Sequence, residues 1–311
     1  MESQSSPDVL MIRPARFAGN TQTRPSNSFQ SFVLAGASAE NVQDAAAKEF
    51  DGVAGALRAA GVTVHVVEDT IEPHTPDAVF PNNWVSFHAD GTIVLYPMLA
   101  PNRRLERRLD VLEALSADHG YRVTRIVDLT AHEPHERFLE GTGSMVLDRV
   151  HRIAYACVSP RTDLDVLGDF AQQLDYEIVV FEAADANGVP IYHTNVLMSV
   201  GSRFAAVCSA CIREDAREAV LGTLRRTDHA IVDLTYEQLH AFAGNMLELR
   251  TAQGELVVAM STRALDSLSQ VQRDAIRQHA GPIVAAPIPT IETLGGGSVR
   301  CMLAEIHAPK R

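Results

Sequence analysis

The chain has 311 residues, 46% of them hydrophobic and 21% charged, an ordinary globular balance with ample material for a core. Its net charge of −12 and lack of a basic tract argue against nucleic acid and anionic membrane surfaces as partners. No apolar run approaches the roughly 20 residues of a membrane span, and the first residues lack the pattern of a secretion signal. Four cysteines are too few for a disulfide scaffold, so a reducing cytoplasm is the expected compartment.

The first strand is expected at Val9–Ile12, followed by a polar stretch, 13–30, rich in Asn, Thr, Ser and Pro. A loop of that length inside a compact domain is usually a lid or a binding segment, with Asn20 and Gln22 as the residues to reach a site. Residues 40–60 read as a helix, because Val42, Ala46, Phe50, Val53 and Leu57 share one face and Gly61 suits its C-terminal stop. A strand over 62–67 closes this unit. Two strand-like runs, 83–88 and 92–96, flank Asp90-Gly91 and predict a hairpin. A helix on Leu105, Leu109, Leu112 and Leu115 follows, stopped by Gly120, and then a strand over 122–129.

This order of strand, strand, helix, strand recurs. Ser144–Leu147 and Ile153–Val158 precede a helix on Leu164, Leu167, Phe170 and Leu174, then Glu177–Phe181. Val196–Val200 and Phe204–Cys208 precede a helix on Ala216, Val220 and Leu224, then Ala230–Leu234. Met246–Leu249 and Leu256–Met260 precede a helix on Leu265, Leu268 and Ile276, then Pro282–Ala285. The hairpins start near 83, 144, 195 and 245, a period that marks ring-like or arrayed folds. With the irregular first unit they make five ββαβ-like units, an α/β propeller formed by one domain over 1–311. In such a ring the residues just before each hairpin meet at the axis, so Asn83, Glu140, His193 and Cys301 are expected to converge.

Cys301 follows Gly295-Gly296-Gly297, a turn-forming run, and precedes an apolar stretch, Met302–Ile306. A thiol presented behind a glycine turn suits a nucleophile. Other motifs carry less. Cys208-x-x-Cys211 lies at the end of a strand-like run without a second pair and reads as two core cysteines rather than a zinc or redox site. His132-Glu133-Pro134-His135-Glu136 holds a proline that defeats helical ligand spacing and reads as a solvated loop, and no lysine supports a phosphate cradle at the glycines.

The order Asp77…Asn82-Asn83, Glu140-Gly-Thr-Gly, Ser159-Pro-Arg161, His193-x-Asn195 and Gly-Gly-x-x-x-Cys301 resembles the guanidine-modifying pentein superfamily. That group holds arginine deiminases, dimethylarginine dimethylaminohydrolases and amidinotransferases, and the nearest branch is the citrulline utilization hydrolases (CtlX). The resemblance runs from Met11-Ile12-Arg13-Pro14 to Cys301. It implies a pentein α/β-propeller with Cys301 as nucleophile, His193 as general acid/base and Glu140 orienting His193. It further implies that Asp77, Asn82 and Asn83 grip the reacting end of an amino-acid substrate and that Arg161 holds the α-carboxylate. No metal or organic cofactor is implied, and the oligomeric state is open, a homodimer included.

The departures from the family pattern point to the substrate. Relatives acting on guanidinium hold it with carboxylates, whereas this chain has amides at Asn83 and Asn195. An amide supplies a donor as well as an acceptor and suits a neutral ureido group, which favours citrulline. Some arginine dihydrolases of the superfamily also carry Asn after the histidine, so arginine dihydrolase, arginine deiminase and dimethylarginine hydrolase stay as alternatives. A non-catalytic pentein acting as a binding platform is the reading from another class. For the hydrolase, an ion pair between thiolate and a charged His193 is expected.

Overall fold

The computed structural model describes residues 2–31 and 38–311. Strand β1 (Asp8–Arg13) runs parallel to β2 (Thr63–Glu68), joined by the helix Ala39–Ala59. β3 (Val85–Phe87) pairs antiparallel with β4 (Thr92–Leu95), and β5 (Arg125–Asp128) runs parallel to β4. The same arrangement holds for β6 (Met145–Asp148), β7 (Ile153–Cys157) and β8 (Glu177–Phe181). It holds again for β9 (Met198–Val200), β10 (Phe204–Val207) and β11 (Ala230–Asp233). The next sheet is β12 (Leu247–Arg250), β13 (Leu256–Ser261) and β14 (Ile283–Ala286).

β15 (Ala304–Glu305) then returns to pair antiparallel with β1, which gives the first sheet the hairpin strand it lacks. Five three-stranded sheets result, as the repeat predicted. β15 lies beside β3, β6 beside β9 and β9 beside β12, so the inner strands follow one another round an axis. The helices lie outside and bury one stripe each: Phe50, Val53 and Leu57 in the first, Val166, Leu167 and Phe170 in Leu164–Leu174. Each large side chain so buried contributes about 1.5–3 kcal/mol.

Four elements differ from expectation. The helix expected from Leu105 starts at Leu109, and both leucines are about half exposed. Residues Pro101–Glu106 form 3-10 turns instead, because Arg103 and Glu106 turn inward as a buried ion pair. The helix expected on Leu265–Ile276 is two helices, Thr262–Ser267 and Gln270–Ala280, the second started by a Ser269–Gln272 capping box. The apolar run after Cys301 yields strand only at Ala304–Glu305, and Cys301 itself sits in a 3-10 turn, Val299–Met302. Cys208 and Cys211 are buried as expected, but their sulfurs are joined as a disulfide. The His132–Glu136 stretch forms 3-10 turns on the surface, where His132 pairs with Asp169 and Glu133 with Arg107.

The ends of the described fold are clamped where β1 meets the C-terminal segment. Lys310 Nζ lies 3.0 Å from Asp8 Oδ1, and His65 Nε2 lies 3.4 Å from it. Burial pushes Asp8 up, but hydrogen bonds from His65, Tyr121 and Lys310 outweigh it and bring the carboxyl down to about 2. Lys310 is half exposed, so screening trims the benefit, and Asp8→Asn is expected to cost about 1 kcal/mol at pH 7. A carboxyl depressed by folding stabilises above its unfolded pKa and loses that effect as pH falls through the folded one. Urea titrations from pH 7 downwards should therefore show the difference vanish between about pH 4 and pH 2.

Candidate active site

Before each inner strand the chain makes one tight turn, and these turns carry the polar residues to the axis. Pro81–Asn83 precedes β3, Gly141–Ser144 precedes β6, Thr194–Leu197 precedes β9 and Val299–Met302 precedes β15. Their close approach requires glycine at 143, where a Cβ would stand 2.4 Å from Asn83 Nδ2 and 2.7 Å from His193 Nδ1. The triple glycine works similarly. Gly296 adopts a φ of +64° to end the helix Pro289–Gly295, and Gly295 and Gly297 leave room for the Phe80 ring.

Cys301 and His193 line one small cavity together with Asp77, Asn83, Arg103 and Arg161. The Cys301 sulfur is flanked by two amides: Asn245 Nδ2 at 3.2 Å and Asn195 Nδ2 at 3.5 Å. The corresponding amide oxygens are farther, at 3.6 and 3.9 Å, an orientation that suits a sulfur accepting hydrogen bonds. His193 Nε2 lies 2.9 Å from Glu140 Oε2. Glu140 is fully buried and also accepts from the Leu99 N–H and from Arg161 Nη1, at 3.1 and 3.2 Å. Burial pushes the Glu140 carboxyl up, but the Arg161 guanidinium, His193 and Arg103 outweigh it and hold it well below the usual range.

His193, expected as a charged imidazole, is shifted towards its neutral form. Burial is the main cause of its depression to about 4; Glu140 opposes that, while Arg161 and Arg103 reinforce it. That lowering favours the neutral ring near pH 7. A neutral imidazole held by a carboxylate can accept a proton, and the carboxylate stabilises the imidazolium so formed.

A buried charge cluster surrounds this pair. Arg103 donates to both Glu106 oxygens at 2.9 Å and to Asn83 Oδ1 at 2.9 Å, and lies 3.7 Å from both Asp77 and Glu140. Asp77 accepts from Asn20 through Oδ2 at 2.8 Å, while its buried Oδ1 has no hydrogen-bond partner among the described residues. Burial raises Asp77 above the ordinary carboxylate range despite Arg103 and Asn20, and pushes Glu106 up to about 8 despite Arg103.

Of the residues expected at the site, Asn82 turns away and meets Thr142 at 3.4 Å instead of lining the cavity. Arg161 lines it, but its donors also hold Glu140, Thr23 and Ser26. Asn20 reaches Asp77, and Asn27 and Gln30 bond the carbonyls of Gly296 and Leu294, so residues 13–31 lie across the mouth. Only 3% of Cys301 is exposed. Sequence reasoning missed Arg103, Glu106 and Asn245. The period that picked Asn83 also marks Asn245, two residues before β12 as Asn83 is two before β3.

Residues 13–308 match the family model described as N,N dimethylarginine dimethylhydrolase, eukaryotic. No curated protein matches the chain. Among solved structures, the arginine dihydrolase ArgZ of the ornithine–ammonia cycle in cyanobacteria aligns with a TM-score of 0.74 at 17% identity, over 98% of this chain and 41% of that one. Its N-terminal domain, a cysteine-to-serine variant bound to substrate, aligns with a TM-score of 0.72 at 17% identity, over 97% and 98%. A dimethylarginine dimethylaminohydrolase, a histidine-to-glycine variant as its adduct with S-methyl-L-thiocitrulline, gives 0.63 at 13% identity over 98% and 100%. The chain thus spans about two-fifths of full-length ArgZ, and at these identities the likeness shows the shared fold. No helix among the described residues is long and apolar enough to cross a membrane. With its family model matched from residue 13 to residue 308, the chain belongs to the N,N dimethylarginine dimethylhydrolase family, and its five sheets share the fold of the solved structures above.

Proposed function

We propose that the protein hydrolyses the ureido group of citrulline to ornithine, ammonia and carbon dioxide through a covalent Cys301 adduct. The observation that carries this reading is the neutral surroundings of the nucleophile: Asn245 and Asn195 flank the sulfur and Asn83 lines the cavity, amides where a guanidinium calls for carboxylates.

In this mechanism neutral His193 takes the thiol proton, and the thiolate adds to the ureido carbon. The imidazolium, stabilised by Glu140, returns its proton to the departing nitrogen, and ammonia leaves a thiocarbamate on Cys301. His193 then takes a proton from water as the water attacks the same carbon, and the sulfur departs with that proton. The carbamic acid formed splits into ornithine and carbon dioxide. Asp77 faces the reacting end, Arg161 takes the α-carboxylate, and residues 13–31 open to admit the substrate. A covalent route has a parallel in an asparagine-to-serine variant of the ArgZ N-terminal domain, covalently bonded to a reaction intermediate.

A second reading, arginine as substrate, is favoured by one feature: the free Oδ1 of buried Asp77 suits a guanidinium N–H. Incubation with citrulline, arginine and dimethylarginine, followed by assay of ornithine, citrulline and ammonia, separates them. Ornithine from citrulline alone supports the ureido reading, and citrulline accumulating from arginine defeats it. The binding-platform reading predicts instead that Cys301 alkylates no faster than a free thiol and that no substrate protects it.

A further inference from the structure

We propose that Asn245 is a catalytic residue, the hydrogen-bond donor that holds the Cys301 sulfur as thiolate. This rests on the nucleophile role given to Cys301 above and adds the contribution of the one unit that none of the expected site residues comes from. Four units supply Asn83, Glu140, His193 and Cys301 from the turns before their inner strands. The remaining unit ends its turn with Asn245, fully buried at the matching place before β12.

The geometry fixes how this amide points. Asn245 Nδ2 donates to the Asn195 carbonyl at 2.9 Å, which orients its plane, and the second hydrogen on the same nitrogen is left for the sulfur at 3.2 Å. That nitrogen stands closer to Cys301 than the Asn195 amide does. The turn is pressed directly on its neighbour: a Cβ at Gly244 would stand 2.5 Å from the Val196 carbonyl oxygen. Because no side chain fits between the turns, Asn245 reaches across the unit boundary and its amide has no room to swing.

The chemistry calls for such a donor. A thiolate 97% shielded from solvent is costly without hydrogen-bond partners, and the imidazolium formed when His193 takes its proton is itself held by Glu140. Neutral N–H donors fill that role without adding a charge that the substrate would have to match. Asn195 and Asn245 converge on the sulfur from separate units, and the nearer one is Asn245.

The test is the pH dependence of iodoacetamide alkylation at Cys301, located by mass spectrometry, in the wild-type chain, Asn245→Ala and the isosteric Asn245→Asp. Hydrogen bonds to ionised groups predict a rise in the thiol midpoint of about one to two pH units in Asn245→Ala, with alkylation at pH 7 slowed about tenfold or more. Asn245→Asp, which sets a carboxylate beside the sulfur, should raise the midpoint further. An unchanged midpoint in a folded variant, even one that has lost turnover, overturns the proposal, because a turn-holding role alone would not move the titration. Unfolding of both variants would assign Asn245 to the fold and overturn it equally. The titration needs no substrate. A wild-type chain that turns over none of the three amino acids, yet shows the shift, would sink the citrulline reading and leave this one standing.

Discussion

Cys301→Ser is expected to lower turnover by about four orders of magnitude or more, with little change in thermal unfolding. Serine fits the volume of the thiol in its 3-10 turn, and the Asn195 and Asn245 amides can still donate to its oxygen. What is lost is acidity: a hydroxyl is far harder to ionise, and neutral His193, depressed to about 4, is a weak base for it. The adduct detectable by mass spectrometry should disappear with the activity. His193→Ala should also stop turnover while leaving a thiol that can still be alkylated. Cys208→Ser is the control, since its sulfur is bonded to Cys211 away from the cavity. Equal losses in Cys301→Ser and Cys208→Ser would mean that both act through stability, and the nucleophile assignment would fail.

Arg103→Ala is expected to destabilise the chain by about 3–5 kcal/mol, the range for removing one partner from a buried ion pair. Arg103 is 2% exposed, and it holds both oxygens of Glu106 and the Asn83 oxygen while lying 3.7 Å from Asp77 and Glu140. Without it, three buried carboxyl groups are left with Arg161 as the remaining guanidinium lining the cavity. Arg103→Lys keeps a charge but loses the fork that grips Glu106, so it should recover part of the loss. Adding Glu106→Gln to Arg103→Ala removes the orphaned partner, and the double variant should be more stable than Arg103→Ala. Urea denaturation of the four chains reads this directly. Wild-type stability in Arg103→Ala would show that solvent, and not Arg103, balances these carboxyls.

The fold was legible because it repeats. The Asp90-Gly91 hairpin, the stripe Val42–Leu57 and the matching runs after 144, 195 and 245 each follow local rules, and five sheets follow from counting them. Glu140, His193 and Cys301 were legible because their turns share one place in the unit. Arg103 and Glu106 were not, since the leucine spacing around them satisfied a helix whose start the buried ion pair displaces to Leu109. A 3.6-residue pattern registers apolar burial and is blind to an arginine that is buried because three carboxyls surround it. The lowering of His193 was hidden too: its main cause is burial, reinforced by Arg161 and Arg103, which the sequence places 32 and 90 positions away. Asn245 was missed although its register marked it, because one asparagine in a turn has an ordinary capping use.

The pairing of β15 with β1 has a consequence for synthesis. The first of the fifteen described strands waits for the last, so until β15 emerges from the ribosome β1 has one edge open to a stray partner.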